Sequence, residues 1–259
     1  MTAPAPPRGC VFLVGAGPGD PVLLTLKALR AIRRASVVLV DDLVSDAVLR
    51  RARRGARIVH VGKRGGCAST PQEFIERLMV AQARAGEVVV RLKGGDPSLF
   101  GRAGEEAQSL RAQGVEVEVI NGISSGVAAA TALGIPLTHR DHARGVMFVT
   151  GHPRQGGAAP HWPTLAAAAA QGLTLVIYMG VATISAVQDG LLQGLAATTP
   201  AALVRHASLP QQQLWLCKLG ELAATVRRER VTSPAIVIVG DVLHAMHNLA
   251  AGADRSRMA

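Results

Sequence analysis

The sequence predicts an α/β protein made of two consecutive α/β domains with mostly parallel or mixed sheets. Three observations carry this expectation. Short runs rich in Val, Ile and Leu recur along the 259 residues, each of a length that suits a buried strand. Segments with helical spacing alternate with them, the pattern of a largely parallel sheet. Glycine, aspartate and proline end the runs abruptly, most clearly in Val14-Gly15-Ala16-Gly17-Pro18-Gly19-Asp20-Pro21 and Arg91-Leu92-Lys93-Gly94-Gly95-Asp96-Pro97.

Taken in order, residues 11–15 read as the first strand and 22–34 as an amphipathic helix. Strands follow at 37–40 and 58–61. Thr70-Pro71-Gln72-Glu73 predicts a helix start, with a capping Thr, a proline in the first turn and an acid three residues on. A strand at 88–92, a helix around 105–112 and a strand at 115–119 come next. Asn121-Gly122-Ile123-Ser124-Ser125 leads into an Ala-rich helix that stops at Gly134, a residue suited to a helix C-terminus. The segment 136–145 is polar and reads as a connection. Beyond it, strands are expected at 146–150, 173–179, 201–204, 214–218 and 235–239. The boundary is placed near residue 144, giving domains 9–144 and 145–249. The first eight residues and those after about 250 read as frayed ends.

Composition narrows the function. Aromatic residues make up 3% of the chain, which argues against an aromatic platform for single-stranded nucleic acid. The Pro- and Ala-rich start lacks the apolar core of a signal peptide, and no apolar run approaches a membrane span. The three cysteines, Cys10, Cys67 and Cys217, are an odd number without a Cys-x-x-Cys, which fits a reducing, cytoplasmic compartment. Net charge is +10, and residues 1–145 hold 20 of the 28 Lys and Arg against 13 of the 18 acids. Such a balance suits a polyanionic partner. The run Arg50-Arg51-Ala52-Arg53-Arg54 reads as a solvated helix face. His139, His142 and His152 have no helical ligand spacing and no accompanying cysteines, so no metal site is expected.

The conspicuous residues fall just after strands, where open α/β sheets bind ligands. Gly15-x-Gly17 after a strand, with Asp41 or Asp42 closing the next strand, suggests a dinucleotide fold at first sight. However, Asp20 stands where its third glycine belongs, and Pro18 removes a backbone donor from the loop that would hold pyrophosphate. Asp20, Asp41 and Asp96 favour a cationic or zwitterionic cofactor instead, and S-adenosylmethionine carries both a sulfonium and an ammonium.

The first glycine motif, continued by Leu24-Thr25-Leu26-Lys27-Ala28, resembles the first signature of the tetrapyrrole methyltransferases. The resemblance extends through Val61-Gly62-Lys63-Arg64, Thr70-Pro71-Gln72, the Arg91–Pro97 block, Phe100-Gly101-Arg102 and Gly104-Glu105-Glu106. It continues in Gly134-Ile135-Pro136-Leu137-Thr138-His139-Arg140-Asp141, Phe148-Val149-Thr150-Gly151-His152, Tyr178-Met179-Gly180 and Ser233-Pro234-Ala235. It covers about residues 9–243, and within the family it is most similar to the uroporphyrinogen-III C-methyltransferases.

The resemblance implies a homodimer of two-domain chains with the cofactor in the cleft between the domains. It implies transfer of two methyl groups from S-adenosylmethionine to uroporphyrinogen III, giving precorrin-2. It further implies no dehydrogenase or chelatase activity in a chain of this length. Pro18, Gly94, Gly95 and Asp96 would line the cofactor, with Leu99, Ser124, Ser125, Met179 and Ala207 nearby. Asp41 and Lys63 correspond to a general base and a general acid, and Arg102 is a further candidate for catalysis. Arg102, Glu105 and Arg140 correspond to positions facing the macrocycle, and Arg64 is a further candidate grip on its carboxylates. The chain departs from the family pattern at Val40, Asp42, Ala103 and Asn121. Read on its own, Asp41 also suits a structural acid at a strand end.

Overall fold

Residues 9–62, 70–152 and 157–244 are described by a computed structural model, and their strands form two separate five-stranded sheets. The first contains β1 (Cys10–Gly15), β2 (Val37–Val40), β3 (Arg57–His60), β4 (Val88–Lys93) and β5 (Glu116–Ile120), in the order β3-β2-β4-β1-β5. All four pairings are parallel. Its helices are α1 (Leu26–Arg34), α2 (Asp46–Leu49), α3 (Gln72–Arg84) and α4 (Ala103–Ala112).

Both faces of the central strands β1, β2 and β4 are buried, which is why these read as mainly apolar runs, while the edge strands β3 and β5 carry Arg57, His60, Glu116 and Glu118. On one face Val11, Leu13, Leu39 and Val89 pack with Ile75 and Met79 of α3 and with Ala107 and Leu110 of α4. On the other, Val14, Val38, Val90 and Leu92 pack with Ala28 and Ile32 of α1 and with Val48 of α2. The chain leaves β1 toward β2 and leaves the adjacent β4 toward β5, in opposite directions. Such a reversal opens a crevice at the strands' carboxyl ends.

Two helix starts differ from expectation. The helix expected from residue 22 is split. Asp20 Oδ1 accepts from the Val22 amide at 2.9 Å and starts a single 3-10 turn, Pro21–Leu23. Thr25 is extended, and its hydroxyl caps α1 by accepting from the Ala28 amide at 3.1 Å. A good N-cap residue inside an apolar periodic run restarts the helix there. At α3 the capping position belongs to Pro71, which has no side chain to accept a bond, so Thr70 is not the cap. The arginines at 50, 51, 53 and 54 are exposed, but they follow α2 in turns rather than on a helix face.

The second sheet contains β6 (Gly145–Thr150), β7 (Leu173–Tyr178), β8 (Pro200–Arg205), β9 (Gln213–Lys218) and β10 (Ala235–Val239), in the order β6-β7-β10-β8-β9. It is mixed: β6 and β7 are parallel, β10 is antiparallel to both of its neighbours, and β9 is antiparallel to β8. The carboxyl ends of β6, β7 and β8 therefore share one edge. Helices α6 (Trp162–Ala170), α7 (Ile184–Leu191) and α8 (Leu222–Arg228) supply Trp162, Val187, Leu191 and Leu222 to a core with Leu175, Ile177, Leu203 and Val237.

By its contacts the chain divides into two compact units between Ser125 and Gly126, at the start of α5 (Ser125–Ala132). The change in composition near residue 144 lies after this helix. The division falls earlier because α5 is tied to the second sheet: the Gly126 amide donates to the Tyr178 hydroxyl at 3.0 Å.

Candidate active site

The two Gly-Asp-Pro loops meet. Gly17 and Gly95 exchange backbone hydrogen bonds, Gly17 N–H to Gly95 O at 3.1 Å and Gly95 N–H to Gly17 O at 2.8 Å. The loop after β5 joins them. A Cβ on Gly15 would stand 2.5 Å from the Gly122 nitrogen and 2.7 Å from the Gly95 oxygen, so only glycine allows this junction. The loop after β2 completes the group, since a Cβ on Gly94 would lie 2.8 Å from the Cβ of Leu43. Pro18, Asp41, Gly94, Gly95, Asp96, Leu99, Ser124 and Ser125 thus gather at one edge of the first sheet.

Asp96 is 8% exposed and organises this edge. Its Oδ1 accepts from the Ser98 amide at 2.7 Å and from the Ser98 hydroxyl, while its Oδ2 accepts from Gly122 N–H at 3.0 Å and Asn121 Nδ2 at 3.2 Å. Burial pushes its carboxyl up, but the bonds from Ser98, Gly122 and Asn121 together outweigh burial and hold it below its usual value. The acid that the sequence offered as a cation's partner spends its acceptor capacity on its own loops. It leaves a fixed negative charge behind a cradle of glycine backbone. That cradle and charge fit a ligand bearing a sulfonium and an ammonium better than one bearing phosphates.

Beneath Asp41 lies a network that sequence reasoning missed. Arg91 and Lys93 alternate with the apolar residues of β4 and point to the α3/α4 side, 3% and 4% exposed. Glu106 of α4 is fully buried among them. Arg91 Nη2 donates to Asp41 Oδ1 at 2.6 Å and Arg91 Nε to Glu106 Oε1 at 3.3 Å. Lys93 Nζ donates to both Glu106 oxygens at 3.0 Å, and Gln72 Nε2 to Oε1 at 3.0 Å. Burial lowers the pKa of Lys93, Arg91 lowers it further, and Glu106 opposes them. The signal available in the sequence was a pair of cations two apart in an apolar strand, facing an acid one turn before Leu110 on α4.

The remaining candidates are more exposed. Arg102 opens α4 with a left-handed φ of +57° and is paired with Glu105, Nη2 to Oε2 at 2.6 Å. The hydrogen bonds that Arg102 donates to the Glu105 carboxylate raise the pKa of the guanidinium further. Lys63 and Arg64 lie outside the described residues. In the second unit, Arg140 is exposed in the loop closed by reciprocal backbone bonds between His139 and Ala143. Met179 follows β7 at φ +55° and is 48% exposed. Ala207 follows β8, buried between His206 and Ser208 at φ +53° and +69°. Three non-glycine residues, Met179, His206 and Ser208, thus stand in left-handed geometry on one sheet edge, a strain that persists only where surrounding structure enforces it. An open cavity lined by Arg205, His206 and Gln211 to Gln213 lies at the same edge. Among the described residues no group of His, Cys, Asp and Glu is disposed to hold a metal ion, and no helix is long and apolar enough to cross a membrane.

Comparison with known proteins converges on one family. The family model for tetrapyrrole (corrin/porphyrin) methylases matches residues 10–223. A uroporphyrinogen-III C-methyltransferase of Pseudomonas aeruginosa is 54% identical over 235 residues, covering 90% of this chain and 94% of that protein. A siroheme synthase of Azotobacter vinelandii is 47% identical over 243 residues, 93% of this chain but 52% of that protein, so the chain spans about half its length. The structure of uroporphyrin-III C-methyl transferase from Thermus thermophilus complexed with S-adenyl homocysteine superposes with a TM-score of 0.79 at 42% identity, covering 92% of this chain and all of that one.

Proposed function

The chain belongs to the tetrapyrrole (corrin/porphyrin) methylase family, and from that premise we propose that it is an S-adenosylmethionine-dependent uroporphyrinogen-III C-methyltransferase. It methylates two ring carbons, C-2 and C-7, and releases precorrin-2 and S-adenosylhomocysteine. The observation that carries this reading is the 54% identity to a uroporphyrinogen-III C-methyltransferase over nearly the whole of both chains.

The donor, when bound, supplies a methyl group already activated on a sulfonium. The protein therefore needs chiefly to align donor and acceptor, and alignment alone is worth several orders of magnitude in rate. Pro18, Gly94, Gly95, Leu99, Ser124 and Ser125 hold the donor, and the family resemblance assigns Met179 and Ala207 to it as well. Asp96 acts mainly from behind, through its charge and the loops it fastens. Asp41 takes the proton that the macrocycle gives up as the carbon–methyl bond forms, and Lys63 serves as the proton donor. Such a positioned group contributes about 10²–10⁴-fold. Arg102, Arg140 and Arg64 grip the substrate's carboxylates, Arg102 with its orientation set by Glu105. The excess of cations in residues 1–145 draws a polycarboxylate toward this unit.

We further infer a homodimer acting in the cytoplasm, with its product serving sirohaem or cobalamin-type synthesis. The free thiols of Cys10 and Cys217 support the compartment. Incubation of the pure protein with methyl-labelled S-adenosylmethionine and uroporphyrinogen III tests the reaction. Label in the macrocycle is the expected result. Transfer only to a later corrinoid precursor, or tight NAD binding without response to S-adenosylhomocysteine, would overturn it.

A further inference from the structure

We propose that Arg91 and Glu106 are a buried positioning pair that fixes the carboxylate of Asp41 in its working orientation. The inference rests on the reading of Asp41 as the base. Leu39 of β2 is in register with Arg91 of β4, so Asp41, two residues on, emerges on the same side of the sheet as the guanidinium. Among the described residues Arg91 is the sole hydrogen-bonding partner of the Asp41 carboxylate. The guanidinium is itself fixed from its other side by Glu106, and Nη1 reaches the Leu92 carbonyl at 3.4 Å. Glu106 is in turn locked by Lys93 and Gln72. Two cations face two carboxylates, and Asp41 alone of the four keeps a substantial opening to solvent, its side chain 29% exposed.

Arg91 and Glu106 have no surface with which to touch a substrate, so any effect of theirs on the reaction passes through Asp41. Stability is a poor reason for the arrangement, because buried ion pairs are often matched or bettered by packed apolar side chains. A planar fork that bonds two carboxylates at once also suits orientation in a way that a lysine does not.

Turnover, KM for both substrates, S-adenosylhomocysteine affinity and melting temperature of Arg91→Gln, Arg91→Lys and Glu106→Gln decide the matter. We expect Arg91→Gln to lower kcat about 10²-fold, the scale of a misplaced catalytic group. KM and S-adenosylhomocysteine affinity should stay within about threefold, well under the tenfold that 1.4 kcal/mol represents. Arg91→Lys should recover part of the rate, and Glu106→Gln, of the same shape as the native residue, should show a smaller loss of the same kind. Unchanged kcat in a folded Arg91→Gln, or a parallel loss of KM, ligand affinity and melting temperature, would overturn the proposal. So would failure of both Gln variants to fold, which assigns the network to stability. Asp41→Asn separates the two levels. A folded, fully active Asp41→Asn retires the reading of Asp41 and this pair with it. A slow Asp41→Asn beside a fast Arg91→Gln retires only the pair.

Discussion

At the scale of single residues, charge is placed by hydrogen bonds that the sequence only partly reveals. Asp96 was legible as important because it stands in a glycine loop after a strand, but its partners Asn121 and Gly122 come from another loop. Sequence spacing carries no information about such a pairing. Its folded-state pKa is depressed, so the stability it contributes is present above the unfolded value of about 3.9 and is lost as pH falls through the folded value. Asp96→Asn should therefore cost about 1.5–3 kcal/mol near neutral pH, the scale of a hydrogen bond to a charged group. Urea unfolding of both proteins should show that gap closing in acid. Asp41 and Asp42 were equally conspicuous in sequence, yet only Asp41 is bonded to Arg91, while Asp42 lies exposed against Gly62. Asp41→Asn should nearly abolish turnover while leaving S-adenosylhomocysteine affinity within a few-fold, and Asp42→Asn should be mild in the same assays. Arg102→Ala and Arg140→Ala should each weaken uroporphyrinogen use by about 1.5–3 kcal/mol with little effect on the donor. An equal loss of both ligands would instead indicate misfolding.

At the scale of elements, the central strands of the first sheet were readable because burial on both faces makes them mainly apolar. Val37–Val40 is found where expected, and β1 and β4 lie within a residue of expectation at either end. Helix starts were less readable, because Thr25 and Thr70 look alike as caps while only Thr25 is placed to accept the amide bond. The second sheet was foreseen as strands, and it is mixed, within the expectation of mostly parallel or mixed sheets, but the sequence did not say which strand runs the other way. The direction of β10 is set by its pairing with β7 and β8, and no local pattern encodes that. The buried network escaped notice because Arg91 and Lys93 look like the polar end of a strand until α4 is laid over them. Glycines give the sharpest test at this scale. Gly15→Ala would force a Cβ into backbone atoms of two other loops, so it should lower stability by about 1–3 kcal/mol and weaken S-adenosylhomocysteine binding. Gly104→Ala on α4 meets open space, and it should stabilise by about 0.5–1 kcal/mol. Thermal melts and calorimetric titration of the two variants check both.

At the scale of the whole molecule, charge and loop geometry serve one reaction. The excess of Lys and Arg in residues 1–145 has a polycarboxylate as its counterpart, so kcat/KM should fall as salt is raised and screening shortens the reach of these charges. The glycine-lined edge with Asp96 behind it suits a cationic methyl donor. In the proposed function Asp41, bonded to the buried Arg91–Glu106 pair, is the base for the acceptor carbon. The most direct test of these parts together is the mass of the macrocycle after reaction of the pure protein with S-adenosylmethionine and uroporphyrinogen III without oxygen, followed for the native enzyme and for Asp41→Asn. The native enzyme should yield a product heavier by two methyl groups in place of two hydrogens, with two equivalents of S-adenosylhomocysteine, and Asp41→Asn should leave the substrate mass almost unchanged at equal donor binding. An unaltered macrocycle with the native enzyme, or equal double methylation by both proteins, would contradict this assignment of the chemistry.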